Sequence, residues 1–173
     1  MIKDRDLSKI KMLVMDVDGT LTDGKIYVGD SGEVFKAFNV RDGYRLIHMD
    51  EYNIIPVIIT GKKSEILSKR AIELRIEEVH QGIDDKLKVL DEVIERYQLT
   101  YENVAYIGDD VNDLDCMKVC YLKASPADAI DEVLGVVDYV CKTNGGNGAV
   151  REFIDLIVKA QSREKKKMKV NQY

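Results

Sequence analysis

Met12-Leu13-Val14-Met15-Asp16-Val17-Asp18-Gly19-Thr20 is the stretch from which the fold can be read. Four apolar residues in a row fit a strand buried on both faces, and the Asp-Val-Asp-Gly-Thr that follows closes it with a polar turn. The same form returns at 54–60, 104–108, 121–124 and 136–140, with a weaker version at Glu78–Gln81. Between these runs the apolar positions step by three or four. Leu87, Leu90, Ile94 and Tyr97 make one stripe; Val150, Phe153, Ile154, Ile157 and Val158 make another. Strands that alternate with helices predict an α/β fold, a doubly wound (Rossmann-like) parallel sheet covered on both faces. One segment breaks the rhythm. Residues 25–38 read K-I-Y-V-G-D-S-G-E-V-F-K-A-F, two alternating stretches around a Gly-Asp-Ser-Gly turn, which predicts a β-hairpin inserted after the first strand.

Composition limits the classes of function. The 173 residues suit one ordinary domain, and a hydrophobic share of 45% can build its core. Lys plus Arg is 26 against 31 for Asp plus Glu, a formal charge of −5. A dedicated nucleic-acid binder would need a basic face, so no nucleic-acid partner is expected. Residues 162–173 hold five bases and one acid, which leaves −9 on residues 1–161. The expected organisation is therefore a single domain over 1–161 and a solvated basic tail over 162–173. No apolar run approaches membrane-spanning length and no signal peptide opens the sequence, so a cytoplasmic protein without a membrane partner is expected. Cys116, Cys120 and Cys141 are scattered, and neither His48 nor His80 lies near them in sequence; core cysteines are expected rather than a zinc site.

In an open parallel sheet, ligands bind beyond the carboxyl ends of the strands. Asp16 and Asp18 stand at one such end, two residues apart and so on one side of an extended backbone. They can hold a divalent cation or act as nucleophile and proton donor; a local turn is the simpler alternative. A second end carries Gly108-Asp109-Asp110-Val111-Asn112-Asp113. Five acids on one rim would repel strongly unless a cation compensated them, and oxygen-only ligands favour Mg²⁺. Thr60-Gly61-Lys62 closes another strand with a hydroxyl and backbone amides suited to an anion. Lys86 opens the helix of the Leu87 stripe, an odd place for a base in the helix dipole, and would offset a phosphoryl group's charge if it pointed at the rim.

D-V-D-G-T, Thr60-Gly61, Lys86 and G-D-D-V-N-D, in that order and each after a strand, resemble the four motifs of the haloacid-dehalogenase superfamily. The resemblance implies Asp16 as nucleophile and Asp18 as general acid and base. It implies Thr60 and Lys86 as holders of the phosphoryl group. Asp16, the carbonyl of Asp18, and Asp109 would bind Mg²⁺, with Asp110 and Asp113 in support. Lys86 lies 26 positions after Thr60, and Asp109 lies 23 after Lys86, so neither gap has room for a cap domain. An open site without a cap excludes water poorly, and a partner subunit is the economical replacement, so an oligomer is expected.

Within the superfamily the chain resembles the capless 3-deoxy-D-manno-octulosonate 8-phosphate phosphatases, on D-G-T-L-T-D-G at 18–24, F-N-V-R-D-G-Y at 38–44 and G-G-N-G-A-V-R-E at 145–152. That resemblance implies four subunits joined through the hairpins, with residues 145–151 reaching a neighbour's site. Arg41, Asp42, Gly61, Lys62 and Arg70 become the expected substrate contacts, together with Thr60. Arg45, Lys62 and Asn147 depart from that pattern, where a small residue, an arginine and an arginine are common. A phosphatase of 2-keto-3-deoxy-nonulosonate 9-phosphate or of broader sugar phosphates is the alternative within this chemistry. From other classes, a phospho-accepting receiver domain would usually show adjacent acids after the first strand, and a non-catalytic assembly module would leave the acid–threonine–lysine set unexplained.

Overall fold

The computed structural model describes residues 5–170, with side chains as far as Ser162. Eight strands and six helices follow in the order β1 (Met12–Met15), β2 (Tyr27–Gly29), β3 (Gly32–Phe35), α1 (Val40–Ile47), β4 (Ile55–Thr60), α2 (Glu65–Glu73), β5 (Glu78–Gln81), α3 (Lys86–Arg96), β6 (Val104–Ile107), α4 (Leu114–Val119), β7 (Leu122–Ser125), α5 (Asp131–Leu134), β8 (Tyr139–Val140) and α6 (Ala149–Val170). Six strands form one parallel sheet in the order β5-β4-β1-β6-β7-β8, and β2 with β3 makes the separate antiparallel hairpin. This is the expected doubly wound architecture, and no second folded domain stands between its strands among the described residues.

The order of strands places the site. From β1 the chain winds outward through β4 and β5, then returns to the other side of β1 and winds out through β6, β7 and β8. The reversal beside β1 opens a crevice at its carboxyl end. Met15 of β1 faces Ile58 of β4 and Ile107 of β6. By that register Thr60 and Asp109 both come to the level of Val17, just beyond Asp16.

Alternation along the strands divides the core between the two faces. Leu13, Met15, Ile58 and Ile107 pack with Leu46 of α1, Leu67 of α2, and Phe153, Ile154 and Ile157 of α6. Met12, Val14, Val57 and Tyr106 pack with Leu90 and Val93 of α3, Met117 of α4 and Val133 of α5. All four β1 residues are inaccessible to solvent. Each such aliphatic side chain contributes about 1.5–3 kcal/mol by leaving water, so the strand that carries the Asp-Val-Asp turn has a firm base.

Arg45 bonds Asp155 of α6 through Nε at 2.7 Å and lies over the Tyr52 ring, which gives a base a structural use where a small residue is common. α6 continues to Val170, so residues 162–170 extend the last helix; their side chains beyond Ser162, and residues 171–173, lie outside the described residues. The run at 136–140 yields only the two-residue β8, because Val136 and Val137 still bond back to Val133 behind α5. No helix of the described residues is long and apolar enough to cross a membrane. All three cysteines are free and buried.

Candidate active site

Asp16 leaves β1 with its amide bonded to the Ile107 carbonyl at 3.0 Å, which extends the sheet by one rung and fixes the side chain over the crevice. Its Oδ1 accepts from Lys86 Nζ at 2.6 Å, and Lys86 also donates to Asp113 Oδ1 at 2.8 Å. The lysine side chain is 2% exposed although it stands at the first position of α3. Asp85 caps that helix by accepting from the Lys88 amide at 3.0 Å, which frees Lys86 to turn inward.

Asp113 is fully enclosed. Its Oδ1 also accepts from Tyr106 Oη at 2.6 Å, and its Oδ2 accepts from the amides of Asp109 and Asp110 at 3.0 and 3.3 Å. Both oxygens are therefore engaged, and the residue acts as the hub that orients Lys86 and shapes the β6 turn. Tyr106 escaped the sequence reading; the available signal was a tyrosine inside an otherwise apolar strand, where a buried hydroxyl demands a partner. Asp109 receives the Thr20 hydroxyl on Oδ1 at 2.9 Å. Gly19 lets it approach: with φ at +97°, a Cβ there would lie 2.0 Å from Asp109 Oδ2.

The carboxylates crowd one another. Oxygens of Asp16, Asp109 and Asp113 lie within 4.8 Å of each other. Burial, and then the charge of Asp113, push Asp16 up to about 6 in spite of Lys86. Burial, and then the charge of Asp16, push Asp109 up to about 7 against the Thr20 hydrogen bond. Lys86 is raised, since Asp16 and Asp113 together outweigh the opposing effect of its burial. One lysine thus faces three acids. Because Asp113 is saturated by donors, Asp16 and Asp109 are the pair that fits a hard divalent cation.

The remaining sequence candidates spread outward. Thr60 ends β4, 2% exposed, and its carbonyl accepts the Ile83 amide at 3.1 Å. Gly61 and Lys62 follow it on an exposed loop. Asp18 is bonded through Oδ1 to the ammonium of Lys36, a hairpin residue that the sequence reading did not single out. Asp110 is exposed and caps the turn after β6 through the Val111 amide at 2.7 Å. Arg41 is exposed beside Lys142, Asn147 and Arg151. Asp42 is 2% exposed, and its Oδ1 receives the Arg151 amide at 2.6 Å, so its carboxylate ties α1 to α6. Arg70 bonds Glu73 at 2.9 Å and lies over the Phe38 ring. Residues 145–148 pack within their own chain: Gly146 donates its amide to Thr20 O at 3.1 Å, and Asn147 Nδ2 closes the turn on Gly145 O at 2.9 Å. A Cβ at Gly145 would lie 1.8 Å from the Gly19 carbonyl oxygen, so only glycine lets this turn seat on the loop after β1.

A buried carboxylate bonded to a buried lysine, and an acid pair fit for a cation, at a strand-order reversal, define a class, and residues 53–154 match the model for haloacid dehalogenase-like hydrolases. The chain belongs to that family. Among individual relatives, the 3-deoxy-D-manno-octulosonate 8-phosphate phosphatase KdsC of Salmonella typhi is 43% identical over 154 residues, 89% of this chain and 82% of that one. The crystal structure of the Yersinia pestis 3-deoxy-D-manno-octulosonate 8-phosphate phosphatase matches with a TM-score of 0.88 and 43% identity, covering 91% of this chain and 85% of that one. The Moraxella catarrhalis phosphatase of the same name, solved with magnesium, phosphate and KDO, matches at 0.88 and 38% identity, covering 95% of both chains.

Proposed function

We propose that this chain is a Mg²⁺-dependent phosphatase that hydrolyses 3-deoxy-D-manno-octulosonate 8-phosphate to the free sugar acid and inorganic phosphate, through an aspartyl-phosphate on Asp16. The observation that carries the chemistry is Asp16 itself, held on one oxygen by a buried lysine and paired with Asp109 at the centre of the crevice. The choice of sugar is supported by the 43% identity with the octulosonate phosphatase over nine-tenths of the chain.

In the first displacement an Asp16 oxygen attacks phosphorus while the bond from phosphorus to the sugar oxygen breaks. Asp18 gives its proton to that departing oxygen. In the second, water attacks the phosphorus of the aspartyl-phosphate, Asp18 takes the water's proton, and the bond to Asp16 breaks to release phosphate. Lys86 stays beside Asp16 throughout and offsets the negative charge of the transferring group, while Thr60 and the Gly61 amide hold its oxygens. Asp16, Asp109 and the Asp18 carbonyl would hold Mg²⁺, which when bound neutralises charge on the phosphoryl oxygens. Asp113 keeps Lys86 in place.

Lys62 and Arg41, exposed and cationic, are the groups offered to the sugar's carboxylate and hydroxyls. The active form is a homotetramer built through the hairpins, a reading supported by the exposed Ile26, Val28, Val34 and Phe35. The catalytic domain is residues 1–161.

The test is phosphate release from the eight-carbon and nine-carbon sugar-acid phosphates, with and without Mg²⁺, by wild type and Asp16→Asn. Metal-dependent turnover of the eight-carbon substrate, lowered about 10⁴-fold or more in the variant, is expected. Preference for the nine-carbon substrate would reassign the sugar. A stable phospho-protein without turnover would replace the phosphatase by a receiver.

A further inference from the structure

Lys36 follows β3 on a hairpin strand whose four residues are all exposed, yet its own side chain is 4% exposed. A lysine withdrawn from water on an otherwise exposed ribbon has to be compensated by its partners. Those partners are two carboxylates: Asp18 Oδ1, in direct contact, and Glu33 at 3.2 Å. Glu33 in turn accepts from the hydroxyl of Ser64, the residue that caps α2 through the Leu67 amide at 3.2 Å. Asp18, Lys36, Glu33 and Ser64 thus form one polar chain that runs from the β1 turn, through the hairpin, to the start of the helix after Thr60-Gly61-Lys62.

We infer that Lys36 is the positioning residue for Asp18, and that the hairpin is thereby part of the catalytic apparatus of its own chain as well as an assembly surface. The inference rests on the phosphatase reading, in which Asp18 moves the proton. An aspartate side chain on an open turn rotates about two bonds, and a proton donor works only within hydrogen-bond reach of its target. With Oδ1 held by the ammonium, Oδ2 is the oxygen left to face the departing alcohol. Lys36 need not touch substrate to act. A misplacement of about 1 Å at the proton donor is enough to cost about 10²-fold.

The test uses full-length protein with Mg²⁺ and two substrates. One is the eight-carbon sugar-acid phosphate, whose alkoxide must be protonated to leave; the other is p-nitrophenyl phosphate, whose phenolate leaves unaided. Lys36→Met should lower the first-turnover rate of alcohol release from the saturating sugar phosphate about 10- to 100-fold with KM changed less than about threefold, and should lower the first-turnover rate of phenolate release from the aryl phosphate less than about threefold. Lys36→Arg should recover most of the loss. In an Asp18→Asn background, Lys36→Met should add less than about threefold, because the residue acts through Asp18. Lys25→Met, which removes an exposed lysine of the same segment that pairs with Asp23 at 3.0 Å, should stay within about threefold of wild type on both substrates, which separates the role of Lys36 from the general loss of a hairpin charge.

Equal losses on both substrates, a rise in KM alone, or multiplicative effects of the two substitutions would each overturn the inference. A wild type that releases no phosphate from the sugar acid overturns the substrate reading instead, and the alkyl-against-aryl contrast is then read on whichever alkyl phosphate it does hydrolyse.

Discussion

The rim at the carboxyl ends of β1, β4 and β6 and the β2–β3 hairpin beside it are built by opposite rules. At the rim, charged groups are buried and each oxygen of Asp113 is accounted for by a donor on Lys86, Tyr106 or the β6 turn. On the hairpin, apolar groups are exposed: Val28 is 72% exposed and Val34 57%, with Tyr27 stacked on Phe35 at a centroid distance of 4.1 Å. Polar groups inside and apolar groups outside reverse the usual arrangement at both places. The rim's reversal is settled within one chain, by charge pairing, whereas the hairpin's apolar patch stays open in the single chain and is the surface the proposed tetramer would cover. The rim is therefore arranged by folding alone, and under the proposed tetramer its enclosure would come from assembly.

The contrast breaks first at Lys86. Replacing it by Met leaves Asp16 and Asp113 buried without their cation, so unfolding by urea should show a loss of about 3–5 kcal/mol, and phosphate release should fall by about 10²–10³-fold or more. A loss under about 1 kcal/mol would mean that the rim is not held by charge pairing.

The acid pair sharpens the same point. Asp16 and Asp109, raised from 3.8 to about 6 and about 7, favour the folded state fully below the unfolded value, and that contribution is lost as pH rises through 6 and 7. Above that range the ionised pair is both costly to the fold and ready for a cation. The rise in melting temperature on adding Mg²⁺ should accordingly be larger at about pH 8 than at about pH 5. Equal shifts at the two pH values would separate cation binding from these two groups.

The smallest effect on the chain itself belongs to the hairpin. Val28→Lys should alter the stability of the single chain by no more than about 0.5 kcal/mol. Light scattering after size exclusion should nevertheless show a smaller assembly than wild type. An unchanged assembly would remove the hairpin from the interface.

The same two regions divide what the sequence made legible. β1 falls on the expected residues, because a buried parallel strand is written as a continuous apolar run, and the weaker signal at 78–81 lands on β5, an edge strand whose one apolar residue is Val79. Lys86 was visible as a base at the wrong end of a helix. Asp113's hub role depends on Tyr106 and two backbone amides, groups that no local pattern marks. Asp42 carries charge in the F-N-V-R-D-G-Y stretch at 38–44, and polarity alone does not reveal that its carboxylate also ties α1 to α6. Lys36 reads as an ordinary surface lysine, since its burial arises only when the hairpin folds back on Asp18.

The seating of Gly145 and Gly146 against Gly19 and Thr22 has a consequence for the order in which this chain becomes competent. Synthesis delivers Asp16 early, but the turn that backs its loop is made more than a hundred residues later, directly before α6. A nascent chain carries the nucleophile long before it carries the brace. The brace on the Asp16 loop is thus available only once residues 145–146 have been made.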